Sequence, residues 1–102
     1  MNEQEFDQML AKYADVIVNI GLGLRKGQVL YINGILEDVP FAREVTKSAY
    51  KAGAKYVDTA LVDEASTRIG YEYANPEHIT YYPEYVFTRY AECFKNGDAF
   101  LS

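Results

Sequence analysis

The residues able to do chemistry are few and scattered. The only histidine, His78, stands beside Glu77, and the only cysteine, Cys93, lies well downstream of it. No H-E-x-x-H or C-x-x-C spacing occurs and there is no second histidine, so these residues cannot close a zinc-type ligand set by themselves. His78 is expected in a surface turn. Ser48, Ser66 and Ser102 lack the elbow motif of a nucleophilic serine. Cys93 falls on the apolar face of a helix just before its C-terminus. That end of the helix dipole raises a thiol pKa, so Cys93 reads as a small core residue. The carboxylate pairs Glu37-Asp38, Asp63-Glu64 and Glu3/Glu5 each stand at a helix start, where capping explains them. No catalytic and no metal-ligating residue is assigned.

Phosphate chemistry is equally poorly served. Gly21, Gly23 and Gly27 precede the first strand and have the wrong spacing for the dinucleotide fingerprint. The loop after that strand, Asn33 to Asp38, puts two carboxylates at the helix N-terminus, where a phosphate would be repelled.

Tyrosine is the unusual component. The chain has 10 tyrosines and no tryptophan, and Tyr71, Tyr73, Tyr81, Tyr82, Tyr85 and Tyr90 crowd one stretch. They cannot all enter one small core. One reading lays their rings over the sheet edge with hydroxyls in water. The other makes Tyr71, Tyr73, Tyr81, Tyr82 and Tyr85 an interface with a second subunit or another domain, a setting that favours tyrosine.

The elements that must position these groups centre on Gln28 to Leu61. Val29-Leu30-Tyr31-Ile32 is a β-branched and apolar run between Gly27 and Gly34, hence a buried strand. Asp38-Val39-Pro40 starts a helix, with Asp38 as side-chain cap. Phe41, Val45, Ala49 and Ala52 keep helical spacing, and Gly53 supplies a left-handed end. Tyr56 to Leu61 is the second strand, parallel to the first through a right-handed crossover. Before this unit, a helix from about Glu3 to Ile20 is expected to bury Phe6, Leu10, Tyr13, Ile17, Ile20 and Leu24. Asp7, Gln8, Lys12 and Asp15 would face water, and Asn2 with Glu5 forms a capping box. After it come a short helix from Asp63 to Ala74 and a break at Asn75-Pro76. A helix from about Pro83 to Lys95 follows, burying Val86, Tyr90 and Cys93/Phe94, then a stop at Asn96-Gly97. Asp98 to Ser102 opens a third strand. The fold class is therefore α/β, a small parallel sheet of about three strands with helices packed on it.

The bulk numbers narrow the function. At 102 residues the chain is one domain, and a net charge of −5 disfavours nucleic acid and anionic membrane surfaces as partners. No stretch is long and apolar enough to span a bilayer. The N-terminus shows no basic and apolar leader, and one cysteine excludes an internal disulfide. A cytoplasmic location is expected. A strand that opens at Asp98 and stops at Ser102 reads as a domain cut short. Its open sheet edges lead us to expect self-association into a homo-oligomer.

Taken together, Tyr13-Ala14, Val18, Gly21-Leu22 and Gly27 to Ile32 resemble the opening of the aminopeptidase T / aminopeptidase S family of metallopeptidases. The likeness continues through Glu37 and the helix Phe41 to Tyr50. Its best signature is A-Y-x-x-G-A-x-x-V, Ala49 to Val57. Asp63, Thr67-Arg68 and the G-x-A-x-L strand from Gly97 follow at the family's spacing. The resemblance spans essentially the whole chain, and its motifs are structural. It implies the first part of the N-terminal domain of a longer, two-domain enzyme, a fragment of a larger α/β domain. The parent would be a two-metal aminopeptidase of the zinc or cobalt class acting on peptide substrates. The family's metal ligands lie in the later catalytic domain, so none is carried over and this piece alone would bind no metal and be inactive. Two other classes compete. A freestanding α/β binding module would use the tyrosine face for a protein or ligand. A small enzyme would gather Asn33, Glu37, Asp63 and Arg68 at the carboxyl ends of the strands.

Overall fold

The computed structural model describes residues 2–102. Three strands form one open parallel sheet in the order β2-β1-β3. β1 (Val29–Ile35) is central, with β2 (Tyr56–Val62) on one side and β3 (Ala99–Leu101) on the other. The β1–β2 register runs from Val29 opposite Tyr56 to Ile35 opposite Val62. β3 pairs Ala99, Phe100 and Leu101 with Leu30, Tyr31 and Ile32. The expected strand–helix–strand unit and third strand are both present, with β1 three residues longer than its apolar run, through Asn33, Gly34 and Ile35.

Alternation along the strands sorts the layers. Leu30, Ile32 and Val57 face the core, where they meet Val45 and Ala49 of α2 (Val39–Lys51) and Ala14 of α1 (Glu3–Val16). Tyr31, Asn33 and Asp58 face the opposite way and meet α4 (Glu84–Asn96). The sheet is thus covered by α1 and α2 on one side and by α4 on the other. α3 (Glu64–Tyr73) belongs to neither layer, and every residue from Val62 to Tyr82 is exposed.

The first helix departs from its expected face. Asn2 caps α1 by accepting the Glu5 N–H at 2.8 Å, as the sequence indicates. Leu24 is buried as expected and Leu10 and Ile17 are half-buried, but the buried positions of the helix itself are Ala14 and Val18, while Phe6, Tyr13 and Ile20 are exposed. Small residues let α1 approach α2 closely, and the larger apolar side chains are left on the outer flank. Asp15 is not purely solvated either, since the buried Ser48 hydroxyl of α2 donates to its Oδ1 at 2.7 Å. The helix ends in a π-turn, Ile17–Gly21, followed by Gly23 at φ +57°. The Leu24 N–H returns to the Val18 carbonyl at 3.0 Å, satisfying an otherwise orphaned acceptor.

Two further corrections concern caps and faces. Asp38 does not cap α2 with its side chain. Its Oδ2 accepts from Ile35 N–H at 2.9 Å across the 3₁₀ turn Leu36–Asp38, because that turn holds the carboxylate over the end of β1. On α4, Cys93 is buried but Phe94 is 83% exposed, one helical step off the inner face. Asp63 caps α3 as expected, and Asn75, expected only as a break, also caps the turn that follows it. Asp63 accepts from Ala65 N–H at 3.3 Å and from the Ser66 hydroxyl at 2.7 Å, and Asn75 accepts from Glu77 N–H at 2.9 Å. Gly97 closes α4 in the left-handed conformation at φ +65°.

Gly53 explains the strongest sequence signature. Its φ is +100°, and its carbonyl accepts the Gly27 N–H at 2.8 Å where two loops touch. A Cβ there would lie 2.9 Å from Lys26 Cγ and 3.3 Å from Lys26 Cα. Backbone conformation and close approach both require glycine.

Candidate functional site

The densest polar constellation lies between the sheet and α4. Arg89 Nε donates to Asp58 Oδ2 at 2.9 Å, and Nη2 reaches the Asp58 carbonyl at 3.3 Å. Nη1 donates to Asn33 Oδ1. The Asn33 amide then donates to the Tyr90 hydroxyl at 2.8 Å. The guanidinium carbon stands 5.2 Å from the centroid of the Tyr31 ring, a cation–π distance. One arginine fork thereby ties β1, β2 and α4 together, using donor geometry that lysine lacks.

The sequence carries a signal for this constellation. Asp58 is a carboxylate inside an otherwise apolar parallel strand and needs a partner. Arg89 sits three residues after Val86 and four before Cys93, on the inner face of its helix. A groove of ≈ 500 Å³ flanks it, lined by Tyr31, Lys55, Tyr56, Asp58, Tyr85 and Glu92 among others. The Arg89 and Asp58 charges pair with each other, so the arrangement fastens a helix to the sheet.

A second clamp joins the start of β1 to β3. Asp98 Oδ1 accepts from Val29 N–H at 3.0 Å, and Gln28 Nε2 donates to the Gly97 carbonyl at 2.9 Å. The other Asp98 oxygen, Oδ2, is buried without a hydrogen-bond partner among the described residues. Asp98 also acts on its neighbours. The Tyr31 phenol is held above its ordinary value of 10.0, first by burial and then by the negative charges of Glu92 and Asp98. The Cys93 thiol is raised above 9.0, first by burial and then by Asp98, with Arg89 opposing. Cys93 is therefore the core residue expected, with burial and Asp98, not the helix end, as the causes of its raised pKa.

The sequence-level candidates separate. Tyr71, Tyr81 and Tyr82 line one shallow hollow together with His78 and Ile79. Tyr85 lies in the groove beside Arg89 instead, and Tyr73 lines neither. All five tyrosines are between 62% and 78% exposed. Tyr71 and Tyr73 stand in solvent on α3 and Tyr81 and Tyr82 on the loop to α4, while Tyr85 opens α4 beside the sheet. His78 ends the 3₁₀ turn Pro76–His78 and is exposed.

The four polar residues at the carboxyl ends of the strands do not converge. Asn33 is committed to Arg89 and Tyr90, and Asp63 caps α3. Glu37 and Arg68 make no hydrogen bond or ion pair among the described residues. No three His, Cys, Asp or Glu side chains of the described residues come close enough to hold a metal ion. The described residues by themselves therefore assemble no metal-ligand set. No helix among them is long and apolar enough to cross a membrane.

Fold and site together define an α/β unit with an open parallel sheet, crossed by the Arg89 and Asp98 hydrogen-bond clusters. The chain belongs to the thermophilic metalloprotease (M29) family, whose model matches residues 6–102. It is 37% identical over 97 residues to aminopeptidase 2 of Geobacillus stearothermophilus, covering 95% of this chain and 24% of that protein. Against aminopeptidase AmpS of Bacillus subtilis the identity is 36% with the same coverage. The solved structure of wild-type AmpT from Thermus thermophilus superposes with a TM-score of 0.83 at 28% identity, over 91% of this chain and 23% of that one. The chain spans about a quarter of the length of the curated relatives it matches. The α/β architecture and the family read from Tyr13 to Ser102 are both borne out.

Proposed function

We propose that this chain works as the N-terminal part of a two-domain, metal-dependent aminopeptidase that removes N-terminal residues from peptides. The observation that carries the reading is the match of 95% of the chain to proteins named as aminopeptidases, at 36–37% identity. The metal ions, of the zinc or cobalt class, would be held by side chains outside residues 2–102. They would polarise the scissile carbonyl and activate water. The part played by this chain is architectural. Arg89 locks α4 to the sheet, Gly53 and Gly27 join the loops below it, and Tyr71, Tyr81 and Tyr82 present a contact face.

The enzyme is proposed to be a cytoplasmic homo-oligomer, most simply a dimer. Support for assembly comes from the sheet, whose outer strands are both edges. On β2 the Val57 N–H is taken by the Tyr50 hydroxyl at 3.1 Å, which blunts that edge. β3 is the other edge, and its three residues offer a short template for pairing. Support for a reducing compartment comes from the single, buried, unpaired Cys93.

The native coding DNA tests the reading. A frame that stays open for several hundred codons past Ser102 and encodes further histidines, aspartates and glutamates is expected. A stop codon directly after Ser102 would overturn it.

A further inference from the structure

We infer that α3 and the loop after it, residues 62–82, form a docking wing for an apolar protein surface with a Lys/Arg-rich rim, carried by the remainder of the same polypeptide. The inference rests on the reading above, in that the complete protein extends beyond these residues, and adds which face that remainder covers.

Three observations converge on it. First, α3 has 10 residues and none is buried. A helix that short is marginal in water without packing, so its stability must come from a surface laid against it. Second, the molecule exposes too much surface for its mass. Its accessible area is 7653 Å², against about 5,800 Å² for a compact chain of 11.6 kDa. The radius of gyration is 16.2 Å, against about 13 Å for a compact chain of this length. The excess area exceeds the roughly 800 Å² that one partner gives to a standard interface. On the wing, Ile69, Tyr71, Ile79, Tyr81 and Tyr82 are all more than half exposed. Third, the wing is acidic, with Asp63, Glu64, Glu72 and Glu77 opposed only by Arg68.

Charge decides the occupant. In a symmetric dimer closed wing to wing, each acidic rim would face its own copy, and like charges would repel. A surface with basic residues around an apolar floor is complementary. The relatives supply room for one, since about three quarters of their length lies outside the match.

The test is amide hydrogen exchange on the product of the complete reading frame, at concentrations above and below any dimer dissociation. Protection of the α3 amides by about 30-fold or more over unstructured-chain rates, unchanged by dilution, is expected. Lesser protection overturns the inference. Protection lost on dilution overturns it in favour of a second copy. Reversing the rim with Glu72→Lys and Glu77→Lys should lower α3 protection by about tenfold at low salt, with protection partly restored at high salt. An unchanged value refutes the basic rim. Peptidase activity assayed on the same sample separates the two ideas. An active enzyme with an unprotected wing refutes the docking alone, and an inactive protein with a protected wing refutes the enzyme reading alone.

Discussion

The guanidinium of Arg89 meets the carboxylate of Asp58 at 2.9 Å, joining α4 to β2 across 31 positions of sequence. The Asp58 side chain is 36% exposed, which discounts the ion pair. The remaining hydrogen bonds to Asn33 and to the Asp58 carbonyl still add to it. Arg89→Ala is expected to destabilise by about 1–2 kcal/mol in urea unfolding. Arg89→Lys should recover little of this, because one ammonium cannot serve Asp58 and Asn33 in the same fork. Full recovery by lysine would reduce the constellation to simple charge pairing.

Gly53→Ala tests the loop contact beneath the sheet. Positive φ alone costs about 1–2 kcal/mol for a residue with a Cβ, and the approach to Lys26 adds strain. A loss of at least about 1 kcal/mol by urea denaturation is expected. Gly21→Ala has open space for its Cβ and sits at ordinary φ, so it serves as the control with a small effect.

How much of this was legible in the sequence depends on what each residue answers to. β1, β2 and the helix between them were readable because an apolar run, a proline-marked start and Gly53 are local signals. The face of α1 was not. Periodicity marks Phe6, Tyr13 and Ile20 as apolar but cannot weigh them against Ala14 and Val18, which α2 selects for close approach. Asp38 had the residue type for a helix cap, yet the turn after β1 turned it toward Ile35. The Arg89 fork is long-range, and only the unpartnered carboxylate of Asp58 in a strand could have hinted at it. Tyr71 and Tyr82 were recognisable as surplus to one core, whereas their grouping apart from Tyr73 and Tyr85 depends on the path of the loop.

Alkaline pH should weaken the fold in two steps. Cys93 and Tyr31 have folded-state pKa values raised above 9.0 and 10.0. Both are neutral when protonated, so the folded state holds their protons longer than the unfolded chain does. Their contribution is complete below about pH 9 and falls as pH rises through each folded value. Urea midpoints should be level from pH 7 to about pH 8.5 and then decline. Cys93→Ala should remove the lower part of the decline and Tyr31→Phe the upper part. Midpoints that decline equally in both variants would contradict the assignment.

Tyr50→Phe isolates one hydroxyl. It would leave the Val57 N–H on the β2 edge without its protein acceptor, with water as the replacement. A loss of about 0.5–1.5 kcal/mol is expected by thermal or urea unfolding, with a rise in concentration-dependent association as the edge opens. Unchanged stability and association would show that water serves this edge equally well.

The most direct measurement is release of the N-terminal residue from short peptides by the protein encoded by the complete reading frame, before and after a chelator. Metal-dependent release that is lost on chelation and restored by a divalent ion, with none from the 102-residue chain alone, is expected. Release by the 102-residue chain itself would place the chemistry among residues that this structure makes architectural. No release by the full product under any divalent ion would contradict the aminopeptidase reading.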